Sequence, residues 1–104
     1  MPTLNEIQEA HNRIKSFIHT TPVLTNSSLN DLANAELYFK CENFQKAGSF
    51  KIRGASNTVL QLSKEELKRG VATASSGNHG AALSMAVTNS VSYTHLTLPT
   101  TPYV

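Results

Sequence analysis

With 104 residues the chain allows one small domain and leaves no room for two. Hydrophobic residues make up 39% and charged residues 15%, which excludes an intrinsically disordered composition. The net charge of +2 comes from nine scattered Lys and Arg, so no basic stripe points to nucleic acid.

Thr3-Leu4-Asn5-Glu6 fits a capping box, and Ile7, Ala10, Ile14 and Phe17 follow at helical spacing. That predicts an amphipathic helix over residues 4–18. No basic segment leads into an apolar run at the N-terminus, and no window approaches the ~20 apolar residues of a membrane span. A reducing cytoplasm is the expected location. Thr21-Pro22 disfavours helix, Val23-Leu24 reads as a short extended piece, and a second helix is expected near Ser28 to Ala33. Leu37, Phe39 and Cys41 alternate with Tyr38, Lys40 and Glu42, the pattern of a half-buried strand. Cys41 is the single cysteine and is expected in the core as a small hydrophobe.

Residues 43–48 read as a loop, followed by a helix with Phe50, Ala55, Val59 and Leu62 as apolar positions and Ser49 as a possible cap. Ser63-Lys64-Glu65-Glu66 is a second capping box, opening a short helix that Gly70 closes. Val71 to Ala74 is expected as a strand, leading through the loop Ser75-Ser76-Gly77-Asn78-His79-Gly80 into a helix over residues 81–86. Its small residues suit close packing against a sheet. Alternating strands and helices give an α/β class, with too few strands for a finished sheet.

Two segments carry candidate chemistry. In Gly48-Ser49-Phe50-Lys51-Ile52-Arg53-Gly54 the lysine stands between two bulky apolar residues. Lowering a lysine pKa from about 10.4 to about 7 takes roughly 4–5 kcal/mol of environmental bias, which desolvation by Phe50 and Ile52 could supply. An uncharged amine forms imines with aldehydes. By itself Lys51 reads more readily as a solvated helical lysine. The Ser75–Gly80 loop, at a helix N-terminus, offers free N–H groups to an anion; a plain polar turn capped by Ser76 or Asn78 is the alternative. His79 could move protons, but a loop histidine more often only hydrogen-bonds. No Cys/His spacing supports a metal site.

Taken together and in this order, KCENFQKAGSFKIRGA and ASSGNHGAA, with TTPVLTNSSLN upstream, resemble the fold-type II pyridoxal-phosphate enzymes, in particular the serine/threonine dehydratase and serine racemase group. The resemblance covers about residues 4–87 and implies an N-terminal fragment of a tryptophan synthase β-like α/β fold with an incomplete sheet. It implies pyridoxal 5′-phosphate as cofactor, with Lys51 as the Schiff-base lysine and base at one face of the α-carbon. Phe50 would lie beside the cofactor ring, and Asn78 would bond its phenolic oxygen. Ser75, Ser76, Gly77 and His79 would take the substrate carboxylate. Ser76 would also serve as acid or base at the opposite face.

The expected reaction of the parent protein is serine or threonine ammonia-lyase: α-proton removal, loss of the β-hydroxyl, and release of a 2-oxo acid and ammonia. Serine racemase is the alternative on the same residues, weighed down by Ala81, where racemases often carry glutamine. A non-catalytic anion-binding module, or a fragment without function of its own, is the rival of another class. A small amino acid is the implied partner, with neither nucleic acid nor membrane; a homo-oligomeric parent is compatible with the resemblance. The family's glycine-rich phosphate cup lies downstream and has no counterpart after Gly80. Residues 1–90 are accordingly expected to be part of a catalytic domain, inactive by themselves. Residues 91–104, VSYTHLTLPTTPYV, read plainly as a strand but look like a translated sequencing adapter appended to the frame.

Overall fold

A computed structural model describes residues 1–90; the expectation for residues 91–104 lies outside the described residues. Five helices and a two-stranded sheet are present among them: α1 (Leu4–Ile14), β1 (Val23–Leu24), α2 (Ser27–Ala33), β2 (Phe39–Lys40), α3 (Lys51–Val59), α4 (Lys64–Arg69) and α5 (Asn78–Ser90). Two 3-10 turns, Glu42–Phe44 and Lys46–Gly48, join β2 to α3. The architecture is that of a helix-rich α/β piece with a rudimentary sheet.

Local signals set most helix starts. Thr3 accepts from the Glu6 N–H (3.3 Å) while the Glu6 carboxylate accepts from the Thr3 N–H (2.6 Å), and Ser63 and Glu66 repeat the exchange at α4. The Asn26 side chain caps α2 by accepting from the Leu29 N–H (2.9 Å). α1 ends earlier than its apolar spacing predicts. The Phe17 N–H donates to Ile14 O (2.8 Å), a three-residue closure that tightens the last turn and stops the helix. Ile14 is buried, whereas Ile7 remains 54% exposed.

Several sequence expectations change. The strand expected over residues 37–42 shrinks to Phe39–Lys40, paired antiparallel with β1 in the register Val23 to Lys40 and Leu24 to Phe39. All four residues are exposed because no layer covers this small sheet. Cys41 is accordingly half-buried, not a core residue. Val71 to Ala74 is not a strand: the β1–β2 ladder is the only one among the described residues, and extended backbone without a neighbour at hydrogen-bonding distance is no sheet. Ser49 does not cap α3. Phe50 holds that position, already helical, and Ser49 Oγ is buried without a partner among the described residues. α5 starts at Asn78, inside the expected loop, and packs on α3 where a sheet was expected.

The core lies between those two helices. Ile52, Ala55 and Val59 of α3 meet Ala82, Ala86 and Val87 of α5, with Ile18, Ala47, Leu67, Leu83 and Met85 around them. Alanines on α5 let the helices approach closely, which fills the space around Ile52 without larger side chains.

A polar clamp holds the segment leading into α3. The Arg53 guanidinium donates from Nε to Glu42 Oε2 and from Nη2 to Glu42 Oε1, both at 2.8 Å. Glu42 also accepts from the Thr21 hydroxyl (2.6 Å) and the Gln45 amide (3.5 Å). Gln45 is buried and grips His19 through both backbone groups, accepting from its N–H (2.8 Å) and donating to its C=O (2.9 Å). These bonds tie residues 19–21, 42–46 and 53 together.

The Arg53 hydrogen bonds, joined by the Thr21 hydroxyl, Arg53's charge and the Gln45 amide, hold the Glu42 carboxyl at about 2, below its ordinary 4.5, although partial burial pushes it upward.

Two outcomes follow from these contacts. Ile52→Ala, at a fully buried position, is expected to lower unfolding free energy by about 2–4 kcal/mol in a urea titration, through lost burial and a cavity. Because the Glu42 value is depressed in the folded chain, its stabilisation is fully present above about pH 4.5 and is lost as pH falls toward 2. With the pair's side chains 17% and 28% exposed, screening leaves about 1 kcal/mol of that effect. A urea midpoint measured across this window should fall in the native chain, and Glu42→Gln should remove that component.

Candidate active site

Lys51 is the first residue of α3, and its position follows from the turn before it. Ala47 (φ 62°) and Gly48 (φ 75°) are both left-handed, after which Ser49 is extended and Phe50 enters the helix. Glycine accepts that conformation freely, whereas for Ala47 it is unfavourable and needs support from its surroundings. The clamp and the packing of Ala47 against the core supply it.

At ~100° per residue, Ile52, Ala55 and Val59 define the core side of α3, while Arg53, Gly54 and Asn57 define the opposite one. The latter three line an open groove against α1, with Ile7, His11 and Ile14 on its other wall. Arg13 of α1 donates to Asn57 across it. Lys51 belongs to neither side and is exposed at the helix end.

The immediate partner of the amine is aromatic. Lys51 Nζ stands 4.8 Å from the centroid of the Phe50 ring, an exposed cation–π contact. Among the described residues no carboxylate pairs with it, since the ion pairs there join Lys40 and Arg53 to Glu42, and Lys68 to Glu65. The sequence expectation that Phe50 and Ile52 would together withdraw the amine from water does not hold in this chain. Ile52 turns into the core, and Phe50 is itself 58% exposed.

The second candidate segment opens α5. The Ala81 N–H donates to Gly77 O (3.1 Å), the first backbone bond of the helix. The N–H groups of Asn78, His79 and Gly80 therefore have no intrahelical acceptor and, with the helix dipole, face outward as anion donors. Inside the loop, Ser75 Oγ accepts from the Gly77 N–H (3.2 Å). A Cβ on Gly80 would touch the Ser75 side chain at 3.6 Å, whereas Gly77 borders open space. Ser76, Gly77, Asn78 and His79 are exposed, and Ser75 is half-buried.

The two segments thus occupy the N-terminal ends of helices that pack against one another. Lys51 with Phe50 is brought together directly; the bonds of the Ser75–Gly77 loop are its own. The donor set fits pyridoxal phosphate at its aldehyde end, with a primary amine that no carboxylate pairs among the described residues and an aromatic face beside it. Sequence reasoning missed Glu42, Gln45 and Thr21 and gave Arg53 no role. Opposite charges at positions 42 and 53 were visible, but nothing in their spacing shows that an intervening turn returns on itself.

Comparison with known proteins bears on the same residues. The family described as pyridoxal-phosphate dependent enzyme matches residues 14–89. A serine racemase from Dictyostelium discoideum is 66% identical over 84 residues, covering 81% of this chain and 26% of that protein. A beta-hydroxyaspartate dehydratase from Paracoccus denitrificans (strain Pd 1222) is 51% identical over 86 residues, covering 83% of this chain and 27% of that protein. The crystal structure of a T.th. threonine deaminase superposes with a TM-score of 0.74 at 38% identity, covering 85% of this chain and 31% of that one. The chain therefore spans about a quarter of the length of the curated relatives it matches. With Lys51 and the Ser75–Gly80 loop inside the matched region, the chain belongs to the pyridoxal-phosphate dependent enzymes, and its fold is that of an N-terminal piece of the fold-type II group.

Proposed function

We propose that this sequence supplies the lysine and the carboxylate-binding loop of an amino-acid racemase acting on serine. The observation that carries the reading is the Lys51 amine, paired with no carboxylate among the described residues, at the N-terminus of a helix that packs on another whose own N-terminus offers free N–H groups. The identity to a serine racemase supports racemisation over elimination, and it outweighs the contrary hint of Ala81. A second reading, a serine or threonine ammonia-lyase, is supported by the dehydratase among the relatives and uses the same residues. Cytoplasmic location is part of the proposal; among the described residues no helix is long and apolar enough to cross a membrane.

In this reading Lys51 would hold the cofactor's aldehyde carbon, Phe50 would lie beside its ring, and Asn78 would donate to the ring oxygen. Bound pyridoxal phosphate supplies an electron sink that acidifies the substrate α-proton. Once the substrate amine has displaced it from the cofactor, the freed Lys51 Nζ would take that proton from one face. The N–H groups at the α5 N-terminus and the side chains of Ser75 and His79 bind the substrate carboxylate and orient the α-carbon, which lowers the entropic part of the barrier. Gly77 leaves the backbone accessible to the carboxylate. Ser76 Oγ returns a proton from the opposite face, which inverts the centre. When the β-hydroxyl takes up a proton and leaves as water before that return, an enamine remains, and its hydrolysis gives a 2-oxo acid with ammonia. The two outcomes differ in the timing of one proton at Ser76.

The exposure of Lys51 in this chain fits a site that is finished by further protein. The lysine needs less water around it than these residues provide, and the cofactor phosphate needs its own donors.

Two substitutions in the full-length protein test the assignment. Lys51→Ala should abolish both racemisation and elimination together with the near-visible absorbance of the bound cofactor imine. Ser76→Ala should reduce D-serine formation from L-serine by about 100-fold while leaving ammonia release within a few-fold. Equal loss of both activities in Ser76→Ala would remove it from the opposite face; abundant ammonia and no D-serine from the native protein would select the lyase.

A further inference from the structure

The chain from Glu42 to Arg53 is closed by a single bidentate ion pair, and Lys51 lies just inside that closure. Between the two ends run consecutive left-handed residues, Ala47 and Gly48, so the path into α3 depends on what holds its ends. A guanidinium bound through two parallel N–H groups fixes its plane as well as its distance, which a lysine–carboxylate pair does not. Arg53 lies two residues beyond Lys51, about 200° around the helix, so fixing one side of the first turn fixes the direction of the other. The carboxylate is held in turn by Thr21 and Gln45, both buried and both anchored outside α3.

We propose that Glu42 and Arg53 are positioning residues for Lys51: their bidentate pair locks the rotation of the first turn of α3 and thereby sets the direction of the amine. The proposal rests on the reading of Lys51 as the cofactor lysine. Neither residue touches the reacting atoms, and the pair acts through the backbone between residues 50 and 53. It also accounts for a partly buried, fork-shaped pair at the start of an otherwise ordinary helix.

The test uses the full-length protein that carries this sequence and reads chemistry at individual lysines. It is incubated with pyridoxal 5′-phosphate, reduced with borohydride and digested, and label at Lys51 is compared by mass spectrometry with label at the exposed Lys15 and Lys64. The native chain should favour Lys51 by at least ~10-fold, the scale expected of a positioned over an unpositioned group. Arg53→Lys and Glu42→Gln should bring that ratio to within about 2-fold of unity at unchanged far-ultraviolet circular dichroism. The exchange variant Glu42→Arg with Arg53→Glu, which restores the pair, should recover most of the preference.

No preference for Lys51 in the native chain would overturn both this proposal and the reading of Lys51. A native preference that survives in folded Arg53→Lys or Glu42→Gln would overturn the positioning role alone. If the single variants lose their dichroism, the exchange variant decides: a folded exchange chain without the preference would overturn the proposal, and one that regains it would support the pair.

Discussion

The Glu42–Arg53 pair and the Gln45 grip on His19 are the constraint on which the described structure depends. They join the stretch after α1, the turns after β2 and the first turn of α3, each of which also sends one apolar side chain, Ile18, Ala47 and Ile52, to the core. Hydrophobic burial alone would leave their arrangement open, since burial is non-directional and the core lies mainly between α3 and α5. Hydrogen bonds are directional, so a carboxylate that accepts from Arg53, Thr21 and Gln45 can specify one path where packing would admit several. That path includes an alanine in a left-handed conformation, which persists only because its surroundings determine it.

The second organising feature is the contact of α3 with α5. Ile52 and Val59 provide the bulk, and Ala82 and Ala86 provide the room. Large residues on one helix and small ones on the other set the two axes close, and the N-terminal end of each helix carries one candidate segment. Ser56 lies in the same packed region with its hydroxyl buried and unpartnered among the described residues, a cost that this interface carries. Much apolar surface is left outside this core. Leu32 is 85% exposed and Tyr38 67%, beside the exposed residues of β1 and β2. So much exposed apolar surface suits a chain that covers about a quarter of the length of its relatives.

The chemistry divides along the same line. A primary amine, an aromatic face and a helix N-terminus are local features, each made by a few neighbouring residues. Withdrawal of the amine from water is a collective property that requires several layers of protein, and here Lys51 has one aromatic neighbour and solvent. The distinction explains how a site can hold recognisable parts without the environment that would tune them.

What the sequence by itself determined is whatever depends on adjacent residues. Both capping boxes, the helix after each, the short extended piece at Val23-Leu24 and the membership signalled by KCENFQKAGSFKIRGA and ASSGNHGAA were legible because each is encoded within a few positions. Tertiary structure decided the remainder. Val71 to Ala74 has the composition of a strand, but a strand exists only by pairing, and no partner stands beside it among the described residues. Ser49 has the chemistry of a cap, yet the left-handed turn before it carries its hydroxyl away from the helix end. Glu42 and Arg53 are two ordinary charges in the sequence, and only the fold of the turn between them brings carboxylate and guanidinium into register, because a bidentate bond requires a geometry that separation along the chain does not specify.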